Sequence, residues 1–395
     1  MISCLLATTI SFDPINYEEN LSMKFEEPMD KCDTQQQENV NLVNLGLKVV
    51  RDYFISSNNL KSINLENNQI IEIAPYAFNA IPNLSCLNIR RNNLTDIFYN
   101  FLPSFRHSSL EKLNLANTTF QSDLDYSVNM DPLISDKEIE QGVTKDAIPN
   151  LTHLDISDNN LVEIPKYLGI SFPRLTHLYM SDNKLNSIFF NRLPATLEYI
   201  YIERNRGNLE LTTFPNNISA LFLSHNRLYW SIKPTNLYPN LKVLSIRNCN
   251  DIITIIQFLE KGKLVDLDIS QNDLVYIEAE LFKNAKSLEP IDEDAFSNLK
   301  MLEKLDLAEN NLIKLPESWM YNLEQLNYLN LKSNLFSNLD SMSIYVRSNL
   351  SHLYLQQNKF ASIKIESLMI LPTNVEVYLS SIKIRRNRFN VFDDC

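Results

Sequence analysis

LTHLDISDNNL occupies residues 151–161, and LTHLYMSDNKL occupies residues 175–185. A chain that closes a single core has no reason to write nearly the same eleven residues again 24 positions later. A chain that makes each turn of a coil from one recipe does, and such recurrence marks a repeat architecture. Written as L-x-x-L-x-L-x-x-N-x-L, with Ile, Met, Val or Phe admitted for Leu, the pattern fits at 60, 84, 110, 151, 175, 197, 218, 241, 264, 302, 326, 350 and 379. A weaker forerunner, LVNLGL at 42, reads as a capping strand.

The L-x-L core of the pattern has period two, so Leu154 and Ile156 face one way and Asp155 the other. Stacked strands then put the Leu columns inside and the x columns on an open face. The Asn column falls where the chain turns inward off the strand: Asn68, Asn92, Asn159, Asn183, Asn205, Asn226, Asn272, Asn310, Asn334, Asn358 and Asn387. A buried turn leaves backbone N–H and C=O groups to be satisfied, and an Asn amide donates and accepts at once. Thr118 and Cys249 take the place in two turns.

These residues resemble the leucine-rich repeat family over roughly residues 42–392. The resemblance implies an α/β fold, a horseshoe-shaped solenoid with a concave parallel β-sheet and loops or short helices on the convex side. Spacings near 24 with Phe in the outer half (Phe78, Phe172, Phe282, Phe296) resemble the extracellular members. On this reading residues 1–41 hold a signal and an N-terminal cap, and 42–392 form about 13 repeats with an acidic insertion near 121–147. Residues 393–395 then begin a truncated C-terminal cap. The chain looks like the arthropod secreted repeat proteins of innate immunity or the ectodomain of a Toll-like receptor. The C-terminal coiled coil of the mosquito members is missing.

Two places break the rhythm. Between 110 and 151 the gap is 41 residues, and SDLDYSVNMDPLISDKEIEQGVTKD within it is acidic and lacks the pattern. It reads as a solvated insertion or as a loop that meets a partner or a protease. Further on, IEAELFKNAKSLE (277–289) and IDEDAFSNLKMLE (291–303) align position for position at an offset of 14. Two outer halves in a row predict a flaw in the solenoid near 285–295, with a strand missing, unless one copy loops out. Gaps of 21 to 23 between 175 and 264 predict flatter outer segments there.

Net charge of −12 argues against nucleic acid as the partner, because nucleic-acid binders carry a basic surface. No apolar run approaches the roughly 18 residues of a membrane span. The sequence has no Gly-rich phosphate loop, no G-x-S-x-G, no H-E-x-x-H and no C-x-x-C, so it reads as a non-enzyme without cofactor or metal. What remains is a protein partner on the open face. The residues expected to meet it are His177, Tyr179, Tyr199, Tyr201, Arg204, Phe222 and His225, since aromatics with Arg make interface hot spots. Cross-strand packing alone would also select such rings.

His153 and His177 share a column, which suits a pH switch, a metal pair or two idle surface histidines. Asp266, Asp268, Asp306 and Glu309 form an acidic zone, Arg90 and Arg91 a basic spot, and Lys383, Arg385, Arg386 and Arg388 a basic end. Opposed charges either steer a protein partner or simply lie in solvent.

ISCLLATTISF (2–12) has the length of a signal-peptide core but no preceding Lys or Arg, and reads equally as a strand or a trimmed end. Five Cys make no framework. Cys32 and Cys395 stand where capping cysteines occur in extracellular relatives of the family; an odd Cys395 implies truncation or a disulfide to a second molecule, hence a dimer. Sequons lie at Asn20, Asn83, Asn93, Asn117, Asn150, Asn217 and Asn349, against about six expected by chance. The expectation is an extracellular, secreted, glycosylated protein-binding module of innate immune recognition. The alternatives are an intracellular repeat scaffold or regulatory subunit, and a protein inhibitor of an enzyme.

Overall fold

A computed structural model describes residues 8–14, 38–94, 97, 101–118, 147–164, 168–188, 193–205, 207–211, 216–230, 239–249, 263–275, 299–317, 319–344, 348–379 and 382–388. The chain divides into two compact units, Lys24–Pro234 and Thr235–Cys395 joined by Met1–Met23. The first strand, β1 (Thr8–Pro14), belongs to the latter, the C-terminal unit.

In the N-terminal unit, the chain runs through β2 (Asn39–Asn41), β3 (Val49–Val50), β4 (Ser62–Asn64), β5 (Glu72–Ile73), β6 (Cys86–Asn88), β7 (Lys112–Asn114) and β8 (His153–Asp155). It continues through β9 (His177–Tyr179), β10 (Ser187–Ile188), β11 (Tyr199–Tyr201), β12 (Asn208–Leu211), β13 (Ala220–Phe222) and β14 (Arg227–Trp230). The main sheet is parallel, in the order β2-β4-β6-β7-β8-β9-β11-β13. The C-terminal unit holds β15 (Val243–Ser245), β16 (Asp266–Asp268), β17 (Lys304–Asp306), β18 (Tyr328–Asn330), β19 (His352–Tyr354), β20 (Glu376–Leu379) and β21 (Ile382–Arg388). There β15 to β20 are parallel neighbours in chain order, and β21 and β1 follow antiparallel. Among the described residues helix is scarce: α1 (Leu102–Ser104), α2 (Leu168–Ser171), α3 (Ile365–Met369) and a 3₁₀ turn at Asp340–Met342. Each unit is thus a parallel-strand solenoid.

Twelve of the thirteen pattern matches place a three-residue strand two residues after their start. The strands stack without slip, with Leu87 between Ile63 and Leu113 and Leu154 beside Leu178. All five of those side chains are fully buried. Burying one such side chain is worth about 2 kcal/mol, so the repeated column is the core.

The Asn turn behaves as expected. Asn92 donates to Leu65 O (3.0 Å) and Ile89 O (2.7 Å), and its Oδ1 accepts from Ile70 N (3.0 Å), joining one turn to the turn before it. Asn183 and Asn205 repeat the arrangement. Thr118 keeps part of it, its hydroxyl reaching Leu115 O at 2.6 Å and its N–H reaching Asn159 Oδ1. Just before each of these asparagines stands a residue in the left-handed region, such as Arg91 (φ 56°), Asp182 (φ 58°), Arg204 (φ 53°) and Gln271 (φ 57°). None of those four is glycine. A conformation costing a side chain roughly 1–2 kcal/mol is held because the buried amide bonds beside it outweigh that cost.

The structure departs from expectation in three places. The match at 379 does not make a further turn, because β21 runs antiparallel to β20. The last parallel strand is Glu376–Leu379, where the leading tripeptide Asn349-Leu350-Ser351 is shortened to Asn374-Val375 and the pattern loses its register. The predicted flaw near 285–295 does not reach the sheet: β16 pairs directly with β17, and Asn272 N reaches Asn310 Oδ1 at 2.9 Å across the gap. A missing strand and a looped-out copy both give this direct pairing, and residues 276–298 themselves lie outside the described residues. Finally, the residue between the two Leu positions is not on an open surface, as shown below. The acidic insertion likewise leaves β7 and β8 paired in register, and 119–146 lie outside the described residues.

Where the gaps shorten to 21 to 23, the outer leg is extended. There β10, β12 and β14 form a second parallel sheet. This sheet needs Gly207, since a Cβ at that position would lie 2.6 Å from Leu185 O.

Candidate functional site

Each sheet strand offers three side chains, and in most of them the first is half-buried and the next two are buried. The candidate residues divide accordingly. His177 and Tyr199 take the first position and are half-buried. Tyr179, Tyr201 and Phe222 take the third, and retain only 4%, 7% and 4% of their exposure. The expectation of an open column fails there because the rings stack flat on one another. Their centroids are 4.5 Å apart (Tyr179–Tyr201) and 4.3 Å apart (Tyr201–Phe222), with planes within 13° and 4°. Parallel strands lie about 4.8 Å apart, so rings in register on adjacent strands meet face to face.

A second ladder stands beside the first. His153 stacks on His177 at 4.0 Å and His177 on Tyr199 at 4.2 Å, with planes within 11° and 8°. Thr152 and Thr176 fix the imidazoles: each hydroxyl lies 3.1 Å from a carbonyl of the turn beneath and within 2.9 Å of the ring Nδ1. A hydroxyl that donates to that carbonyl leaves its oxygen to accept, which sets Nδ1 as the protonated ring nitrogen. Burial pushes His153 down to about 4, with His177 and Lys112 adding to the shift. The ring is therefore neutral throughout the physiological range, so this histidine does not provide a switch near neutral pH. Among the described residues no cluster of three metal-ligating side chains occurs.

Arg204 and His225 lie in the left-handed turn that follows the strand, at φ 53° and 61°. The Arg204 guanidinium grips Asp182 of the preceding turn through Nε (2.8 Å) and a second nitrogen (2.9 Å). Glu203, next to it, has its carboxyl pushed above the usual range by burial. The seven candidate residues thus lie on three consecutive strands and the two turns that follow, in two ring columns and one polar edge.

The C-terminal unit carries its own face. Asp268 and Asp306 sit in register on β16 and β17, both buried. Asp306 accepts from Ala308 N (2.8 Å) and Asn330 Nδ2 (2.9 Å), and Asp268 accepts from Ser270 N (3.0 Å) and Oγ (2.7 Å). Burial, then the Asp268 charge, pushes Asp306 up to about 7. Burial with Asp306 nearby also raises the Tyr328 phenol. Lys304 Nζ pairs with Asp266 at 3.1 Å, and Arg247 lies 3.7 Å from Glu309. A third ring column, Tyr354 on Tyr378 at 4.3 Å, extends this face. Sequence reasoning missed Tyr378 because its strand has the shortened lead; the run Asn374-Val375-Glu376-Val377-Tyr378-Leu379 was the available signal.

The cysteines depart from the expectation that they make no framework. Cys86, on β6, is disulfide-bonded, and its partner is not among the described residues. Cys249 keeps its thiol. Asn20 and Cys395 lie outside the described residues.

The stacked three-residue strands, the buried Asn turns and the ring columns all follow from one repeated unit, and the family comparison names it. The leucine rich repeat profile matches residues 38–94, 284–336 and 300–360, and a two-copy profile matches 149–194. The chain is a leucine-rich repeat solenoid. This leucine-rich repeat protein is 27% identical over 241 residues to Podocan-like protein 1 of Mus musculus, spanning 37% of that protein's length. Among solved structures it resembles the TLR13–ssRNA13 complex, with a TM-score of 0.57 and 23% identity over 87% of this chain and 46% of that one. It also resembles the leucine-rich repeat domain of APL1B, with a TM-score of 0.48 and 20% identity over 86% of this chain and 80% of that one. In the repeat protein no helix among the described residues is long and apolar enough to cross a membrane.

Proposed function

We propose that this repeat protein is a non-enzymatic extracellular module that binds another protein in innate immune recognition, through the sheet face, the concave side of the expected horseshoe. The observation that carries the reading is the double ring ladder. Its six rings are already ordered by stacking, so the half-buried three, His153, His177 and Tyr199, lose little further side-chain freedom when a partner meets them. What the ladder offers is ring edges and polar tips from His153, His177 and Tyr199, with the Arg204–Asp182 pair alongside. That mixture of apolar body and polar rim suits a protein surface. The Cys86 disulfide supports an oxidising, extracellular compartment.

The TLR13 structure holds single-stranded RNA. For this chain the net charge of −12 opposes the same role, since phosphate contacts need clustered Lys and Arg.

The test is cross-linking mass spectrometry on the secreted protein in its native extracellular fluid, comparing wild type with Tyr199→Glu. Cross-links from Lys112, on the strand beside His153, and from Lys184, in the turn after β9, should reach a partner and disappear in the variant while circular dichroism stays unchanged. A partner held equally by Tyr199→Glu would place the interface elsewhere.

A further inference from the structure

Four of the seven N-x-S/T tripeptides share one phase: Asn83, Asn150, Asn217 and Asn349 each stand three residues before the first residue of a sheet strand. The structure gives that phase a cause. In all four the asparagine Nδ2 donates to a backbone carbonyl of the turn beneath, at Asn58 (2.7 Å), Ser108 (2.7 Å), Ala195 (2.8 Å) and Glu324 (2.6 Å). The hydroxyl two residues on donates to a second carbonyl of that same turn. Ser85 reaches Lys61 at 3.2 Å, Thr152 reaches Glu111 at 3.1 Å, Ser219 reaches Glu198 at 3.3 Å and Ser351 reaches Asn327 at 2.9 Å. The two acceptors are three residues apart every time. Between the donors lies Leu84, Leu151, Ile218 or Leu350, all buried. The tripeptide is a clamp, with one apolar anchor and a donor on either side. Asparagine, an apolar residue and a hydroxyl residue in that order also make a glycosylation acceptor.

We propose that these four positions are one repeated modification site, a row of N-linked oligosaccharides on the strand-leading edge of each unit. Each asparagine uses one Nδ2–H to hold the turn beneath and gives up the other to the sugar. The proposal rests on the extracellular reading above. In the transfer an Nδ2–C1 bond forms and the C1–O bond to a lipid-pyrophosphate oligosaccharide donor breaks. The pyrophosphate leaves with the electron pair, and the amide proton passes to a base of the transferase. Because the folded clamp engages both the amide and the hydroxyl, transfer precedes docking of that turn. The amide keeps one N–H afterwards, so the clamp closes with the sugar in place.

Asn83, Asn217 and Asn349 are exposed and leave room for the glycan. Asn150 is half-buried and its Oδ1 accepts from Arg174 at 2.6 Å, so it carries the lowest occupancy of the four. The sugars would leave the opposite edge, with Arg204 and Asp182, bare for a partner.

Two measurements test this. Protein made in a bacterial cytosol, where no glycan is added, should lose about 2–4 °C of thermal midpoint for Asn217→Asp and again for Ser219→Ala. An unchanged midpoint in both variants overturns the clamp. Secreted protein treated with an N-glycosidase in ¹⁸O water should carry the heavy label at Asn83, Asn217 and Asn349. Secretion with label only at Asn20, Asn93 or Asn117 overturns the modified edge and leaves the extracellular reading standing. Retention in the cell without any glycan overturns both, while the bacterial result still judges the clamp by itself.

Discussion

Asn92 is one side chain with three buried bonds, to Ile70 N, Leu65 O and Ile89 O. Removing it leaves backbone groups of two turns without partners in an apolar interior. Asn92→Ala should therefore cost roughly 3–5 kcal/mol, read as a shift of the urea midpoint. Asn358→Ala, in a half-exposed turn, should cost less.

Asp306 gives the second prediction at this scale. Its folded pKa is raised from the ordinary 3.8 to about 7, so the folded protein binds the proton more tightly than the unfolded chain. Its favourable contribution is present below pH 4 and is lost as pH rises through 7, by on the order of 4 kcal/mol. Asp306→Asn should flatten the fall of the thermal midpoint between pH 4 and 7 and raise the midpoint at pH 8. Equal slopes for variant and wild type would show that the carboxyl does not hold the proton. Arg247 and Tyr328 face the pair and are left in place by this variant.

At the level of the element, the short turns depend on close approach of the outer legs. Gly207→Ala would set a Cβ 2.6 Å from Leu185 O, a backbone atom that cannot swing away. Separating β12 from β10 to relieve that contact should cost about 1–3 kcal/mol, seen as a lower thermal midpoint and faster amide exchange at Leu209 and Leu228. Exchange unchanged at both would mean the outer sheet absorbs the methyl. The pattern of 21 to 23 residues foretold flat outer legs, but not that they would pair as a sheet. That pairing depends on three successive turns being equally short, which no single turn displays.

For the whole molecule, the disulfide is the clearest handle. Peptide mapping without reduction should find Cys86 cross-linked, and iodoacetamide should modify Cys249 on unfolding. Reduction should lower stability by about 2–4 kcal/mol. Cys86 recovered alkylated from unreduced protein would remove the main support for an oxidising compartment. The seven candidate residues were legible as a set because the repeat numbers them: columns in the sequence become columns on the sheet. Their exposure was not, because it depends on what lies one strand away.

The sequence alone determined the repeat unit, the direction of the Leu columns and the place of the buried Asn turns as far as Asn334, whereas Asn387, expected in the same column, lies within β21. Those follow from period two and from the need to pair backbone groups within a turn of fixed length. Only the tertiary structure decided the rest. It showed that Tyr179, Tyr201 and Phe222 shut one another off from water, since stacking at 4.3–4.5 Å is a property of neighbours in register. It turned β21 antiparallel, where the shortened lead before β20 ends the recipe. It also buried Asp306 next to Asp268, and that burial, with the Asp268 charge added, raises the affinity of Asp306 for a proton.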